Sequence, residues 1–313
     1  MKLVRGIKNI LLKNNRCVLT IGNFDSVHRG HQKILNILKK ISKTFQLPTI
    51  VMIFEPQPLE YFMGISAPSR ITSLRDKIKY ISKYKIDYLL CVKFDHDFSL
   101  LTAEQFVLKF LVKKLKIKFL AVGDDFRFGK NREGDLKYLN KIKNQYDFKI
   151  INIRTLYNFG SRVSSTSIRN ALLNANFKLA EHLMGHSYRL SGRVIHGRQI
   201  GSLIGFPTAN IDYRALVLPL KGVYIVEVYG LSNKPLEAVA NIGTCPTFNG
   251  INKKVEVYII DKNINIYGRC IEIIFRKKLR NEKKFNSLEK LKNQIYCDII
   301  SARNFFRNYK RIQ

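Results

Sequence analysis

The sequence predicts a two-domain chain in which an α/β domain with a parallel sheet precedes a small antiparallel β-barrel and a C-terminal helix. A length of 313 residues suits two domains that each bury a core. Short apolar runs alternate with amphipathic helical patterns between residues 17 and about 155. Extended segments separated by Gly and Pro follow after about residue 186. We therefore expect domains at 1–185 and 186–313.

The first domain is predicted to contain five parallel strands with helices between them. The apolar runs place these strands at 17–22, 49–54, 87–94, 118–123 and 148–153. The helix after the first strand has one apolar face, made by Ile34, Leu35, Leu38 and Ile41. Thr102 and Gln105 form the pattern of a capping box before another helix. Two further helices are predicted at about 166–176 and 177–184.

The second domain is predicted to be a barrel of short strands closed by a helix. Its extended segments are YRLSGRVIHG, GVYIVEVYG, EAVANIGT, KKVEVYIID and CIEIIF. The last helix is expected from Ser287 to about Asn308. Its packing face is predicted to comprise Leu288, Leu291, Ile295 and Ile299.

Composition and charge exclude several classes of protein. No apolar run approaches the roughly 20 residues that cross a bilayer, and the N-terminus lacks a secretory pattern. The five cysteines never form a C-x-x-C pair, so neither a disulfide framework nor a zinc site is indicated. The net charge of +32 is spread along both halves instead of gathered in one basic tract. We expect a cytoplasmic protein without a membrane or nucleic-acid partner; the sequence gives no oligomeric state.

The loop from Gly22 to His31 is the strongest candidate site of the first domain. A strand ends at Gly22, and a helix begins near Gly30. This arrangement points backbone N–H groups and a helix dipole at a ligand, and phosphate is the typical guest. His28 and His31 project the same way and can donate hydrogen bonds to a phosphate. The alternatives are that the two histidines cap the helix, lie in the core or bind a metal.

The segment TIGNFDSVHRGHQ resembles the G-x-F-D-G-x-H-x-G-H signature of the HxGH nucleotidyltransferases. Together with FEPQPLEYF, VGDDFRFGKNREGD and SSTSIRNAL, it is similar specifically to the bifunctional riboflavin kinase/FMN adenylyltransferases, also called prokaryotic FAD synthetases. The resemblance implies a Rossmann-like nucleotidyltransferase domain. It also implies that the ATP phosphates are bound by Gly22, Asn23, Phe24, Asp25, His28 and His31.

The resemblance assigns two further groups in the first domain. Ser164, Ser165, Thr166 and Arg169 are implied to hold the triphosphate from the opposite side. The loop near the nucleotide and the flavin is implied to comprise Gly123, Asp125, Phe126, Arg127 and Phe128. The alternatives are an ordinary Ser/Thr helix cap with an exposed arginine, and a turn whose phenylalanines pack into the core. Ser26 departs from the signature, which has Gly there, and a turn that needs positive φ would be perturbed.

The segment HGRQIGSLIGFPTANI resembles the riboflavin kinase signature. Gly197, Gly201 and Gly205 are predicted to allow close approach to phosphate, and Thr208 and Asn210 to hold Mg²⁺ and phosphate. The family's general base for the riboflavin 5′-hydroxyl falls on Glu256. Taken alone, these residues also fit a Gly-Pro turn with a capping Thr, and a solvent-facing Glu between Val255 and Val257.

The resemblance covers nearly the whole chain, including NIGTCPTFNG and FRKKLRNEKKFNSLEKL, although Cys245 and Tyr258 replace a usual arginine and histidine. It implies that riboflavin and ATP give FMN and ADP in the second domain. FMN and ATP then give FAD and pyrophosphate in the first, with Mg²⁺ assisting both reactions. The rivals are a transferase acting on another phosphate compound, and a flavin- or nucleic-acid-binding regulator without catalysis.

Overall fold

The computed structural model describes the chain except for residues 13–15, 159, 198–199, 214–216, 248–249, 263 and 311–313. Its contacts divide it into two compact units. The first unit comprises Met1–Pro68 and Lys77–Ser165, and the second comprises Ser69–Asp76 and Thr166–Gln313. This division falls before residue 186, where the sequence predicted the boundary, because the helices at 166–184 group with the second unit. The domain boundary therefore stays a prediction.

The first unit is built on a parallel sheet with the strand order β1-β4-β3-β2-β5-β6. The strands are β1 Lys2–Arg5, β2 Cys17–Ile21, β3 Thr49–Glu55, β4 Tyr88–Lys93, β5 Ile117–Gly123 and β6 Lys149–Ile153. The predicted parallel sheet is confirmed, and β1 is an additional edge strand paired with β4. The sequence did not indicate β1, since only Val4 of its four residues is buried.

The helices of the first unit follow the predicted periodicity. They are α1 Arg29–Phe45, α2 Pro58–Met63, α3 Leu74–Ser82, α4 His96–Ser99, α5 Ala103–Phe106 with a π-helical continuation Val107–Lys114, and α6 Leu136–Ile142. On α1, Leu35 and Leu38 are fully buried, as its apolar face predicted. The capping box of α5 is present: Gln105 N–H donates to Thr102 Oγ1 at 3.1 Å, and Thr102 N–H donates to Gln105 Oε1 at 3.2 Å. A small hairpin follows, formed by β7 Tyr157–Asn158 and β8 Ser161–Arg162.

The second unit contains a closed antiparallel barrel with the strand order β10-β13-β12-β11-β14-β9. The strands are β9 Arg189–Ile195, β10 Ala209–Asp212, β11 Gly222–Tyr229, β12 Leu236–Thr247, β13 Gly250–Ile259 and β14 Cys270–Arg280. The predicted barrel is confirmed. The strand β10, which the sequence analysis had treated only as part of a motif, closes the barrel between β9 and β13.

The remaining helices are α7 Ser165–Leu173, α8 Phe177–Met184, α9 Ile200–Leu203 and α10 Leu288–Lys310. Helix α10 packs on the barrel through Ile299, Ala302 and Phe306. Asp298 also accepts two hydrogen bonds at 3.0 Å from Arg280 Nε and one at 2.8 Å from its Nη2. The predicted packing role of Leu288 is wrong, because that side chain in the first turn is 63% exposed.

Candidate active sites

The loop that follows β2 has an unusual backbone. Phe24 and Val27 adopt φ angles of 48° and 43°, in the left-handed region. Each such residue costs about 1–2 kcal/mol, and a β-branched side chain such as Val is rare there. Two side chains fix the loop: Gln32 Nε2 donates to the carbonyl of Val27 at 2.9 Å, and Ser165 Oγ donates to that of Asp25 at 3.0 Å. The neighbouring structure therefore holds a strained loop in one shape.

Ser26 lies in the middle of this loop with a φ of 73°. The position does have the positive φ for which the signature uses glycine. The Ser26 side chain is buried, and its hydroxyl donates a hydrogen bond to the carbonyl of Asp25. This local bond offsets part of the conformational cost of a non-glycine residue.

His28 is the N-cap of α1. Its Nδ1 accepts a hydrogen bond from the backbone N–H of His31 at 3.3 Å. In the neutral imidazole the proton is therefore on Nε2, which makes Nε2 a hydrogen-bond donor. Gly30 leaves room for this ring, since a Cβ there would lie 3.1 Å from His28 Nδ1. His28 thus caps the helix, as one of the alternatives from the sequence had it, and the cap fixes the orientation of the Nε2 donor.

The rings of His28 and His31 stack with centroids 3.7 Å apart and an interplanar angle of 17°. Phe24 stacks on the other side of His31 at 4.7 Å. Burial, opposed by the nearby Asp25 carboxylate, lowers the pKa of His28 to about 4. Burial, and then the neighbouring His28 and Lys77, lowers the pKa of His31 well below its ordinary value. Both rings are neutral near pH 7, which avoids a repulsion of about 4 kcal/mol between two charges some 4 Å apart.

Two atoms near this pair indicate a ligand-binding centre. Among the described residues, His31 Nδ1 is buried and has no hydrogen-bond partner. Such an atom costs stability unless a ligand or water satisfies it. Lys77, in α3, is completely buried, and its charge acts on His31. The sequence did not predict a role for Lys77, because a lysine inside an amphipathic helix gives no signal of burial.

The hydroxyl-rich segment divides between the two units. Ser164 and Ser165 belong to the first unit, where Ser165 contacts the strained loop through Asp25. Thr166 and Arg169 belong to the second unit, and Arg169 Nε donates to the carbonyl of Ser69 there at 2.5 Å. The structure therefore brings Ser165 to the histidine loop, whereas it assigns Arg169 a contact within the second unit.

The loop after β5 combines a turn and a packed aromatic pair. Phe126 N–H donates to the carbonyl of Gly123 at 3.2 Å, and Arg162 Nη2 pairs with Asp125 at 2.9 Å. Phe128 is 8% exposed and belongs to the core, with Phe126 stacked on it at 5.4 Å. Arg127 is exposed. The core-packing alternative thus describes Phe128, while Phe126 is only half-buried.

An aromatic surface lies where β3 and β4 end. Phe94, which follows β4, contacts the rings of Phe54, Tyr61 and Phe62 at centroid distances of 5.5–5.8 Å. Tyr61 and Phe62 are 38% and 63% exposed. Because β3 is the neighbour of β2 in a parallel sheet, these rings share the carboxyl edge with the histidine loop. These rings belong to the segment FEPQPLEYF, but the sequence pattern alone predicts no role for them.

In the barrel, strand register brings the predicted base into a polar row. Glu256 on β13 is directly opposite Asn210 on β10 and Asn241 on β12. Directly opposed residues share one face. The flanking Val255 and Val257 are 1% exposed, so the polar row occupies the other face. Glu256 Oε1 pairs with Lys254 Nζ at 2.5 Å.

The glycines of the second motif make room for its polar side chains. A Cβ on Gly197 would lie 2.0 Å from Asn210 Nδ2, and one on Gly201 would lie 2.4 Å from the carbonyl of Phe206 and 3.0 Å from Thr208 Oγ1. Gly205 has a φ of 87°, which favours glycine. The motif thus contains a folded turn, as in the turn alternative raised from the sequence, and Gly197 lies against Asn210 while Gly201 lies against Thr208.

Among the departures from the signature, Tyr258 is well placed in the structure. It packs edge-on against Phe206 at 5.6 Å and joins the cluster under α10. The side chain of Cys245 lies outside the described residues. Within the described part of the chain, no three His, Cys, Asp or Glu side chains are close enough to hold a metal ion together, and no helix has the length and apolarity to cross a membrane.

Comparison with known proteins identifies relatives of both units. The family model described as FAD synthetase matches residues 11–167, and the model described as riboflavin kinase matches residues 184–306. A bifunctional riboflavin kinase/FMN adenylyltransferase of Escherichia coli K12 is 52% identical over 307 residues, covering 98% of each chain. One from Buchnera aphidicola of Acyrthosiphon pisum is 45% identical, covering 99% of this chain and 100% of its own.

A solved structure supports the same fold. The crystal structure described as a macrolide-efflux protein from Streptococcus pneumoniae is 28% identical to this chain, with a TM-score of 0.77. The match covers 96% of this chain and 99% of that one. The likeness extends over both units.

Proposed function

Since the chain belongs to the bifunctional riboflavin kinase/FMN adenylyltransferase family, we propose that its two reactions occur at the two sites described above. The enzyme phosphorylates riboflavin with ATP to give FMN and ADP. It also adenylylates FMN with ATP to give FAD and pyrophosphate. The observation that carries the assignment of sites is the separation of two polar centres, the His28/His31 pair in the first unit and the Glu256 row in the second.

Adenylyl transfer is proposed for the first unit. A phosphate oxygen of FMN attacks the α-phosphorus of ATP, and the bond to the pyrophosphate oxygen breaks. The neutral His28 donates from Nε2 because its Nδ1 is engaged with the backbone. His31 supplies a buried ring nitrogen that needs a partner. These fixed donors stabilise charge that develops on the phosphate oxygens during the displacement.

Further contacts to ATP are proposed from the motifs that the resemblance assigns. The backbone and side chains of Gly22, Asn23, Phe24 and Asp25, together with Ser164, Ser165, Thr166 and Arg169, are proposed to hold the phosphates. The contact between Ser165 and the loop carbonyl of Asp25 supports this for the serine. The buried ammonium of Lys77 adds positive charge where both imidazoles are neutral.

We assign the flavin ring of FMN to the aromatic surface of Tyr61 and Phe62. Exposed aromatic faces suit a flat, conjugated ring. The loop of Gly123, Asp125, Phe126, Arg127 and Phe128 follows β5, the other neighbour of β2, so it borders the same sheet edge. Phe126 offers the accessible ring of that loop, with Phe128 as its buried support.

Phosphoryl transfer is proposed for the row on the barrel. The 5′-hydroxyl oxygen of riboflavin attacks the γ-phosphorus of ATP, Glu256 accepts the hydroxyl proton, and ADP leaves. Lys254 fixes one carboxylate oxygen of Glu256, which orients the other towards the substrate. The folded turn of Gly197, Gly201 and Gly205 is proposed to bind the ATP phosphates with its backbone.

The second site fits a magnesium ion. Asn210 provides a neutral oxygen donor opposite the Glu256 carboxylate, Thr208 provides another two residues earlier in the chain, and oxygen donors are those that Mg²⁺ prefers. Thr208 and Asn210 would hold the ion together with ATP phosphates. When bound, Mg²⁺ neutralises phosphate charge in phosphoryl transfer.

We place both reactions in the cytoplasm, where ATP is available. The described cysteines Cys17, Cys91, Cys270 and Cys297 form no disulfide, in keeping with a reducing compartment. The partners that follow from the activity are the small molecules riboflavin, FMN and ATP.

One experiment tests the assignment of sites. Riboflavin, or separately FMN, is incubated with ATP, Mg²⁺ and the purified protein, and the flavins are separated by chromatography. His31→Ala should stop FAD formation while riboflavin is still converted to FMN, and Glu256→Ala should do the reverse. Loss of both reactions in either folded variant contradicts the two-site assignment.

A further inference from the structure

A second carboxylate lies beside the Glu256 row. Gly243, two residues beyond Asn241 on β12, shares the face of that row and is opposite Lys254 on β13. In place of a side chain at this position, Glu282 Oε1 lies 2.3 Å from where a Cβ of Gly243 would be. Asn241 Nδ2 lies 3.8 Å from the same point. Gly243 therefore provides the space that Glu282 fills.

Each of the two carboxylates lies near a lysine, although Glu256 is on β13 and Glu282 follows the end of β14. Glu256 pairs with Lys254 at 2.5 Å, and Glu282 lies 3.9 Å from Lys221. The rows of Asn241 and Gly243 are separated by about 7 Å, since each strand residue adds some 3.4 Å. An acceptor for a substrate hydroxyl is thus available one row away from the proposed general base.

Packing alone does not account for this arrangement. Lys221 is 66% exposed, and an ion pair with so exposed a partner contributes little stability. The Glu282 side chain is itself 29% exposed although it lies against the barrel, so its carboxylate remains accessible.

A cavity adjoins Glu282 on the second unit. It has a volume of about 650 Å³, and its walls include Leu173, Val217, Leu218, Pro219 and Leu220 as well as Glu282. This size lies in the range of pockets for small molecules, and the wall is half apolar and half polar, since Ser69, Lys221, Lys278 and Asn281 also line it. Glu282 therefore lies both in the wall of this cavity, next to its apolar residues, and beside the row of polar side chains.

From this geometry we propose that Glu282 is a specificity-determining residue of the kinase reaction, which accepts a hydrogen bond from a secondary hydroxyl of the riboflavin ribityl chain. The chain has three secondary hydroxyls between the ring and the 5′-hydroxyl. Anchoring one of them at Glu282 directs the 5′-hydroxyl to Glu256, while the flavin ring occupies the cavity. Asn241, between the two carboxylates, lies along the path of the chain.

This inference rests on the proposed site of phosphoryl transfer at Glu256. Substrate analogues distinguish a failure of the Glu282 proposal from a failure of that site assignment. Glu282→Ala and the isosteric Glu282→Gln are assayed for FMN formation with riboflavin and with its 2′-, 3′- and 4′-deoxy analogues. With riboflavin, kcat/KM should fall by about 10- to 100-fold in Glu282→Ala, mainly through KM for riboflavin. With one analogue, which lacks the hydroxyl that Glu282 binds, the same substitution should have almost no effect.

Gly243→Ala is the matched variant. It keeps Glu282 but puts a methyl group where the Glu282 carboxylate lies. The added methyl group should displace the carboxylate and reproduce the selective loss with riboflavin. FAD formation from FMN serves as the control and should not change in any of these variants.

Equal losses with riboflavin and all three analogues would overturn the proposal, because Glu282 would then act only on the structure. An unchanged kcat/KM, or a rise confined to the KM for ATP, would overturn it as well. Failure of the Glu256 assignment would be recognised separately, by a Glu256→Ala variant that still forms FMN.

Discussion

The two proposed sites position their chemistry in different ways. In the first unit, a continuous segment of ten residues forms a strained loop, and the reactive groups are buried imidazoles in ring-to-ring contact. In the barrel, the polar side chains come from separate strands, and register alone places Asn210, Glu256 and Asn241 in a row. The first site depends on local backbone shape, whereas the second depends on the closure of a sheet. Substitutions should affect them by different routes.

The electrostatics of the sites differ as well. The imidazoles are held neutral by burial, so they act as hydrogen-bond donors. The barrel carboxylates are partly exposed, and each lies near a lysine. A buried neutral centre is sensitive to pH through stability, whereas an exposed charged one is sensitive to salt.

The largest expected effect is that of Glu256→Ala on FMN formation. Loss of the general base should lower kcat for riboflavin phosphorylation by about 10²- to 10⁴-fold, with FAD formation from FMN unchanged. Rates are measured by flavin chromatography with each substrate supplied alone. A fall in both activities would mean that the two sites are not independent.

The complementary change, His31→Ala, should reduce FAD formation by about 10²- to 10³-fold, the usual effect of removing one fixed donor. Riboflavin phosphorylation should continue at the original rate. Release of pyrophosphate gives an independent measure. An unchanged rate of FAD formation would remove His31 from the proposed chemistry.

Acidification should distinguish the sites through the buried imidazoles. Because the pKa of folded His28 is about 4 and that of an unfolded histidine is about 6.5, the unfolded state binds more protons between these values. Stability of the first unit should therefore fall as pH drops from 6.5 to 4, by about 3 kcal/mol from His28, with His31 adding in the same direction. NMR titration of His28 should give a midpoint near 4; a midpoint near 6.5 would contradict a buried neutral ring.

A smaller effect separates the capping role of His28 from its proposed contact with phosphate. His28→Ala should lower stability by about 1 kcal/mol, since α1 loses its N-cap, while His28→Asn should preserve stability because Asn is a good cap. Denaturant unfolding measures both. FAD formation should fall in the two variants alike, and full activity of His28→Asn would show that capping is its whole role.

The smallest effect is expected at Ser26. Ser26→Gly relieves the positive φ but loses the hydroxyl bond to Asp25, so stability should rise by less than about 1 kcal/mol. FAD formation should change by about threefold at most. Ser26→Val provides the contrast, because a β-branched residue is disfavoured at this φ. Equal stability of the Gly and Val variants would mean that the loop conformation is not as described.

These differences also explain what the sequence could predict. The histidine loop was predictable because its residues are contiguous. Alternating apolar runs and helical patterns predicted the parallel sheet, the spacing of Thr102 and Gln105 predicted the capping box, and extended segments between Gly and Pro predicted the barrel. The position of His28 at the start of a helix was predictable from the sequence. The hydrogen bond from His31 N–H to its Nδ1, and hence its tautomer, is known only from the structure.

The rest depended on contacts between distant residues. Asn241, Lys254 and Glu282 come near the Glu256 row only through strand register and a glycine, which single motifs do not reveal. Lys77 is buried in an amphipathic helix, where a lysine is expected on the solvent-facing side. Leu288 was predicted to pack because its spacing fits the apolar face, but the first turn of α10 extends into solvent.

The cap of α1 has a consequence for how this enzyme can vary. One nitrogen of His28 ends the helix, and the proposed donor to phosphate is the other nitrogen of the same ring. A replacement that keeps the helix end, such as Asn, still alters the reaction, and one that keeps neither loses both. A second substitution elsewhere that restores only the helix cap, or only the phosphate contact, therefore does not restore the function of His28. Natural variation should be narrower at His28 than at Ser26, two residues before it.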